Sequence, residues 1–157
     1  MAKTTPATVA LTKAGISFEL FPYDYDPTAP RVGLQAAQAL GIDPQEVFKT
    51  LMVLADGKPA CVILPSDCEV AMKKLAAALG CKHAEMMKPA DAERLTGYKV
   101  GGVSPFGQRK QVPTVLDETA TLFERVLING GQRGLLLGLS PQAAIDVCSA
   151  TVADVTA

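Results

Sequence analysis

Three stretches of the sequence carry residue types that could do chemistry, and all three favour an anion. Thr96–Lys110 (TGYKVGGVSPFGQRK) gathers Gly97, Gly101, Gly102, Gly107, Pro105 and the cations Lys99, Arg109 and Lys110. Adjacent glycines adopt backbone conformations closed to other residues and let a ligand approach the main chain. Peptide N–H groups exposed in this way attract anions, and Lys and Arg nearby add charge. Asn129–Gly134 (NGGQRG) is a second glycine-rich turn, with an amide and a cation. The third is Lys49, inside the apolar run Val47–Leu54 (VFKTLMVL). Burying an unpaired ammonium is costly, so Lys49 either reaches water from the strand's open end or faces an anion at the mouth of a site. The spacing is neither GxGxxG nor that of a P-loop, so no nucleotide motif is claimed. Glycine content alone fits a tight connector with no ligand equally well.

Other chemistries lack their residues. Cys61, Cys68, Cys81 and Cys148 form no CxxC and no zinc-like spacing, and His83 is the one histidine. No Ser/His/Asp set and no cluster of paired acids is visible, and neither a metal nor a cofactor is expected. Each cysteine lies in an apolar or helix-start context without an obvious activating partner, so a thiol-dependent enzyme is the weakest reading, with Cys68, near a helix start, its least implausible nucleophile. His83 reads as a surface or packing residue.

The 157 residues fit one domain (1–157), long enough to bury roughly 70% of the unfolded surface. Apolar content of 48% with 20% charged residues is that of a globular chain. A formal net charge of −1 excludes a bulk polycation, so any anionic partner must meet a local cluster of cations. No signal peptide or membrane-spanning run is evident, and with reduced thiols the expected location is the cytoplasm.

These residues need elements to position them. Thr5-Pro6 opens a helix that Gly15 closes, and Ile16–Phe21 begins with strand-like alternation. Tyr23 lies in the irregular Pro22–Pro27. Leu34–Leu40 is a short helix, and Asp43–Glu46 starts a brief turn before Val47–Leu54, which reads as a central strand covered on both faces. Asp56–Pro59 turns the chain into a strand over Ala60–Leu64. Ser66 and Glu69 form a capping box for a helix through Leu79, stopped by Gly80. Cys81–Met86 is a connector or strand, and Pro89–Leu95 a helix ended by Gly97. Val112–Asp117 is a strand whose proline sets it at an edge or a strand start. Val126–Ile128 and Leu135–Leu139 are strands around the second glycine turn. Ser140-Pro141 caps a helix to about Cys148, and a short tail follows. The alternation predicts an α/β single domain with a mixed, barrel-like sheet flanked by helices.

Phe48-Lys49-Thr50-Leu51 after a capped turn, Gly97-Tyr98 through Val100–Pro105, and Asn129-Gly130-Gly131 through Arg133–Leu135 occur together in this order. In this the chain resembles the YbaK family of free-standing aminoacyl-tRNA deacylases, related to the editing domain of bacterial prolyl-tRNA synthetase. The resemblance implies a trans-editing enzyme that removes a wrong amino acid from tRNA, Cys from tRNA(Pro) above all, by attack of the substrate's own thiol on its ester. It implies the acceptor end of aminoacyl-tRNA as partner, with prolyl-tRNA synthetase as a second. Lys49 matches the family lysine that holds the terminal adenosine's phosphate or ribose. Gly101 and Gly102 match the backbone that faces the aminoacyl ester, and Tyr23 a tyrosine of the pocket wall. Thr50, Ser104, Asn129, Gly130 and Arg133 fall in the same motifs as substrate-binding positions, Asn129 where a serine is common. Leu136 stands where some members have an acid, and Val32 where some have an aromatic, which leaves amino-acid preference open. A water-using deacylase for a small amino acid such as Ala, and a noncatalytic tRNA- or nucleotide-binding module, are the alternatives.

Overall fold

The computed structural model describes residues 4–28 and 32–157, and of Val32 and Gly33 only the backbone. Local chemistry sets most helix ends. Helix α1 (Pro6–Lys13) starts from a reciprocal box: Thr5 Oγ1 accepts from the Thr8 N–H, and Thr8 Oγ1 from the Thr5 N–H. After α2 (Val32–Leu40), helices α3 (Met72–Leu79) and α4 (Pro89–Thr96) each stop on a left-handed glycine, Gly80 and Gly97. Helix α5 (Pro141–Cys148) is capped by the Ser140 hydroxyl, which accepts from the Ala143 N–H.

Among the described residues, eight strands form one mixed sheet: β1 (Glu19–Pro22), β2 (Val47–Ala55), β3 (Lys58–Pro65), β4 (Ala84–Met86), β5 (Thr114–Asp117), β6 (Val126–Asn129), β7 (Leu135–Leu139) and β8 (Thr151–Ala153). Their order is β1-β7-β6-β2-β3-β5-β8, with β4 also paired to β2. β2 and β3 make a long antiparallel hairpin, Phe48 opposite Pro65 through Ala55 opposite Lys58. β6 runs parallel to β2, β5 to β3, and β8 to β5. The expected mixed α/β domain is the one observed.

Helices cover both faces, which is why β2 is apolar at both alternating sets of positions. Phe48 and Met52 join the core under α1, α4 and α5, with Leu11, Ile63, Leu116, Ile128 and Leu137. Val53 faces α3 in a second cluster, and Val47 packs with Ala36 and Ala37 of α2 in a third.

Several expectations need correcting. The box read at Ser66 and Glu69 is absent: α3 begins at Met72 with Ala71 as an N-cap that makes no side-chain bond. Ser66 is buried, and its hydroxyl donates to the Pro44 carbonyl. Segment 67–71 is instead held by the C-terminal stretch, through the Val70–Thr156 bridge and the Ala71 N–H on the Val155 carbonyl. That stretch is no loose tail. It forms β8, and the fully buried Asp117 accepts from the Val155 N–H at 3.0 Å. β5 is flanked by β3 and β8, so Pro113 marks a strand start rather than an edge. β1 starts at Glu19, three residues later than its alternation predicts, because its pairing with β7 begins there.

Candidate active site

β2 has β3 along one side, but its other side is shared by two partial neighbours. The parallel register with β6 ends at Phe48, and the antiparallel register with β4 begins at Val53. The Met52 carbonyl accepts from the Met87 N–H at 3.1 Å. Among the described residues, Lys49–Leu51 therefore has no strand beside it on that side. A cavity of about 270 Å³ lies at this interruption and is lined by every residue from Val47 to Met52.

Alternation along β2 sends those side chains to opposite faces. Val47, Lys49 and Leu51 share a face with Tyr23, Ala36 and Leu136, beside α2. Phe48, Thr50 and Met52 share the other with Met87, Ala92 and Val103, beside α4. Met86 and Val100, 49% and 43% exposed, stand at the rim. The cavity thus draws its walls from both faces of the sheet, and its described lining contains no Cys, His, Asp or Glu.

The two glycine-rich turns meet at its edge. Asn129, the last residue of β6, donates from Nδ2 to the Gly101 carbonyl at 3.2 Å. Its Oδ1 accepts from the N–H groups of Gly131, at 2.7 Å, and Gln132, at 3.3 Å. Arg133 donates from Nε to the Val100 carbonyl at 2.9 Å, with its guanidinium 5.4 Å from the centre of the Tyr25 ring. Gly101 lines the cavity with φ +88°, a conformation that side chains disfavour.

The sequence-predicted residues therefore divide. Lys49, Thr50, Gly101, Tyr23 and Asn129 line the cavity together. Gly102, Ser104, Gly130 and Arg133 do not. A Cβ on Gly102 would lie 2.9 Å from the Arg133 nitrogen, so this glycine lets the two turns pack backbone to backbone. Ser104 is wholly buried, and its Oγ accepts from the Phe106 N–H. Gly130 is also buried and receives the Thr5 hydroxyl on its carbonyl at 2.6 Å, tying α1 to the second turn. The side chain of Val32 lies outside the described residues. Met52, Met86 and Met87 were not singled out in the sequence. The adjacent pair Met86-Met87 before a helix-starting Lys88-Pro89 is a signal that could have found them, since methionine suits adaptable binding walls.

Burial raises the Tyr23 hydroxyl above its ordinary pKa and keeps it a neutral hydrogen-bonding group. The thiols are held back as well. Burial pushes Cys148 up to about 12 and Cys61 higher still. Cys68 is raised by desolvation first and then by Asp67, against which Lys49 pulls only weakly. The one cysteine whose helix-start context suggested activation is thus held in its protonated form, and no helix begins there. No helix among the described residues is long and apolar enough to cross a membrane.

Residues 28–147 match the family model of the aminoacyl-tRNA editing domain. EbsC of Enterococcus faecalis, provisionally named a Cys-tRNA(Pro)/Cys-tRNA(Cys) deacylase, is 37% identical over 121 residues, 76% of this chain and 74% of EbsC. A proline–tRNA ligase of Acidithiobacillus ferrooxidans is 31% identical over 90 residues, which are 57% of this chain but only 16% of the ligase. A solved structure provisionally described as a trans-editing enzyme for prolyl-tRNA synthetase superimposes with a TM-score of 0.85. It is 23% identical over 99% of both chains and so attests the shared fold.

Proposed function

The chain belongs to the aminoacyl-tRNA editing domain family, and we propose that it releases a mischarged amino acid from tRNA, Cys from tRNA(Pro) above others. The observation that carries this reading is a cavity with a lysine on one face, an apolar wall on the other, and no nucleophilic thiol or imidazole in its described lining. A site so built suits a substrate that brings its own nucleophile. The substrate's thiol attacks its ester carbonyl: the S–C bond forms, the C–O bond to the ribose breaks, and the thiol proton ends on the departing ribose oxygen. The protein's part is positioning and electrostatics, which can supply much of a rate enhancement.

In this reading Lys49 holds the phosphate or ribose of the terminal adenosine, and Tyr23 and Asn129 flank it. Gly101 offers main chain to the aminoacyl ester. Gly102, Ser104, Gly130 and Arg133 act through the shape of the turns. The partner is the acceptor end of an aminoacyl-tRNA in the cytoplasm, with a prolyl-tRNA synthetase as the source of tRNA specificity. Leu136, an apolar cavity residue where some members have an acid, favours a second reading: a water-using deacylase for a small amino acid such as Ala. Incubating the protein with Cys-, Ser- and Ala-tRNA(Pro) and following amino-acid release tests both. Fast release of Cys alone supports the first, rapid release of Ala the second, and no release from any leaves a binding module.

A further inference from the structure

Thr50 is the polar exception in the half of the cavity beside α4. Its Oγ1 is shut off from solvent and has no hydrogen-bond partner among the described residues. A buried hydroxyl left unpaired costs free energy, and folded proteins retain few of them. The neighbours on its side of the cavity, Phe48, Met52, Met87, Ala92 and Val103, offer no strong donor or acceptor. Lys49 and Asn129, the groups suited to the charged and polar parts of an aminoacyl nucleotide, belong to the opposite face. On the deacylase reading, an ester held at the strand's interruption between these halves would set its nucleotide toward Lys49 and its amino-acid side chain toward Thr50. The chamber it enters is small, thioether-lined and polarizable, with one hydroxyl in it.

Resting on the deacylase reading, we propose that Thr50 selects the amino acid: its hydroxyl hydrogen bonds the single heteroatom on the β-carbon of a small side chain, the thiol of Cys or the hydroxyl of Ser, and the polarizable thioether wall around it suits the thiol. The hydrogen-bonding capacity of Oγ1 is then met by the substrate. Amino acids of the same size without that atom leave the hydroxyl unsatisfied and bind less well. This is the way a polar pocket rejects an apolar isostere.

The test uses non-hydrolysable amides of 3′-amino-3′-deoxyadenosine carrying either Cys or 2-aminobutyrate, which has a methyl in place of the thiol. The wild-type chain should bind the Cys amide about threefold more tightly, the worth of one weak hydrogen bond to a thiol. Thr50→Val, which keeps the shape and removes the hydroxyl, should erase that preference. It should also raise Tm by roughly 2–4 °C, because an unsatisfied buried group has been replaced by a methyl. Thr50→Ser should keep the preference. Equal weakening of both amides by Thr50→Val would place the hydroxyl on the nucleotide or ester instead and overturn the proposal. A lowered Tm with the preference intact would make Thr50 structural and overturn it too. If wild type releases amino acids from tRNA but does not distinguish the two amides, this inference alone falls. If it neither binds an amide nor releases any amino acid, the deacylase reading falls with it.

Discussion

Asn129 Nδ2 and the carbonyl oxygen of Gly101 lie 3.2 Å apart, a hydrogen bond that joins the one from Arg133 Nε to the Val100 carbonyl in fastening one glycine-rich turn to the other at the cavity mouth. The Asn129 side chain accepts two N–H groups of its own turn, so it orders both turns at once. Asn129→Ala should lower kcat/KM for deacylation at least tenfold while costing roughly 1–3 kcal/mol of stability, since three hydrogen bonds of this side chain are lost. Steady-state kinetics beside denaturant unfolding check this. A large loss of stability would mean that Asn129 acts through the fold rather than the site.

On the proposed reading, in which Lys49 holds the anionic end of the substrate, Lys49→Ala should abolish release of the amino acid while the chain remains folded, as a melting curve beside the activity assay would show. Lys49→Arg should restore little, since a planar guanidinium does not replace a compact ammonium. Near-normal turnover by the alanine variant would remove Lys49 from the site.

The two adjacent glycines should behave differently. Gly102→Ala pushes a methyl to within 2.9 Å of the Arg133 backbone nitrogen, which cannot swing away, and overpacking of this kind costs about 1–3 kcal/mol. At Gly101 the nearest atoms, Tyr25 Oη at 2.9 Å and Arg133 Nε at 3.2 Å, belong to side chains that can move. Gly101→Ala, strained mainly by its φ, should lose more activity per unit of Tm than Gly102→Ala. Paired melting and activity measurements on the two variants decide it.

Replacing Cys61, Cys68, Cys81 and Cys148 together with Ala or Ser should leave turnover per folded molecule largely unchanged. In the native wild type at mildly alkaline pH, a thiol reagent should reach Cys68 and Cys81 but leave Cys61 and Cys148 unmodified until the chain unfolds. Both buried thiols are held protonated by desolvation, Cys148 with a pKa of about 12. Loss of activity in a folded cysteine-free variant would assign the chemistry to the protein's own sulfur.

Much of the fold was legible because its signals are local. Thr5-Pro6, Gly80, Gly97 and Ser140-Pro141 mark helix ends through chemistry contained within a few residues, and each end lies where they put it or within one residue. The errors come from long-range partners. Nothing near Ser66 signals that Thr156 and Val155 will occupy the following segment, or that Ser66 will turn to Pro44. For the site, motif spacing singled out Lys49, Thr50, Gly101 and Asn129, and the fold brings these four to one cavity. It could not separate Gly101, whose main chain meets the cavity, from Gly102, whose missing side chain admits another backbone. The same residue type answers two different steric demands, and only the packing distinguishes them.

The interruption along β2 has a consequence for the order in which the molecule forms. The hairpin partner β3 is adjacent in sequence, and Met86, opposite Val53, is 33 residues along the chain. Ile128, opposite Phe48, is 80 residues away, so closing that loop costs roughly 0.8 kcal/mol more in chain entropy. Local pairings form before distant ones repay their closure. The β2–β3–β4 side of the cavity is thus an early unit, and the β6–β7–β1 side docks later. The cavity is a seam between two generations of structure. Weakening the late side should detach it first, and ligand affinity would vanish while the hairpin still protects its amides from exchange.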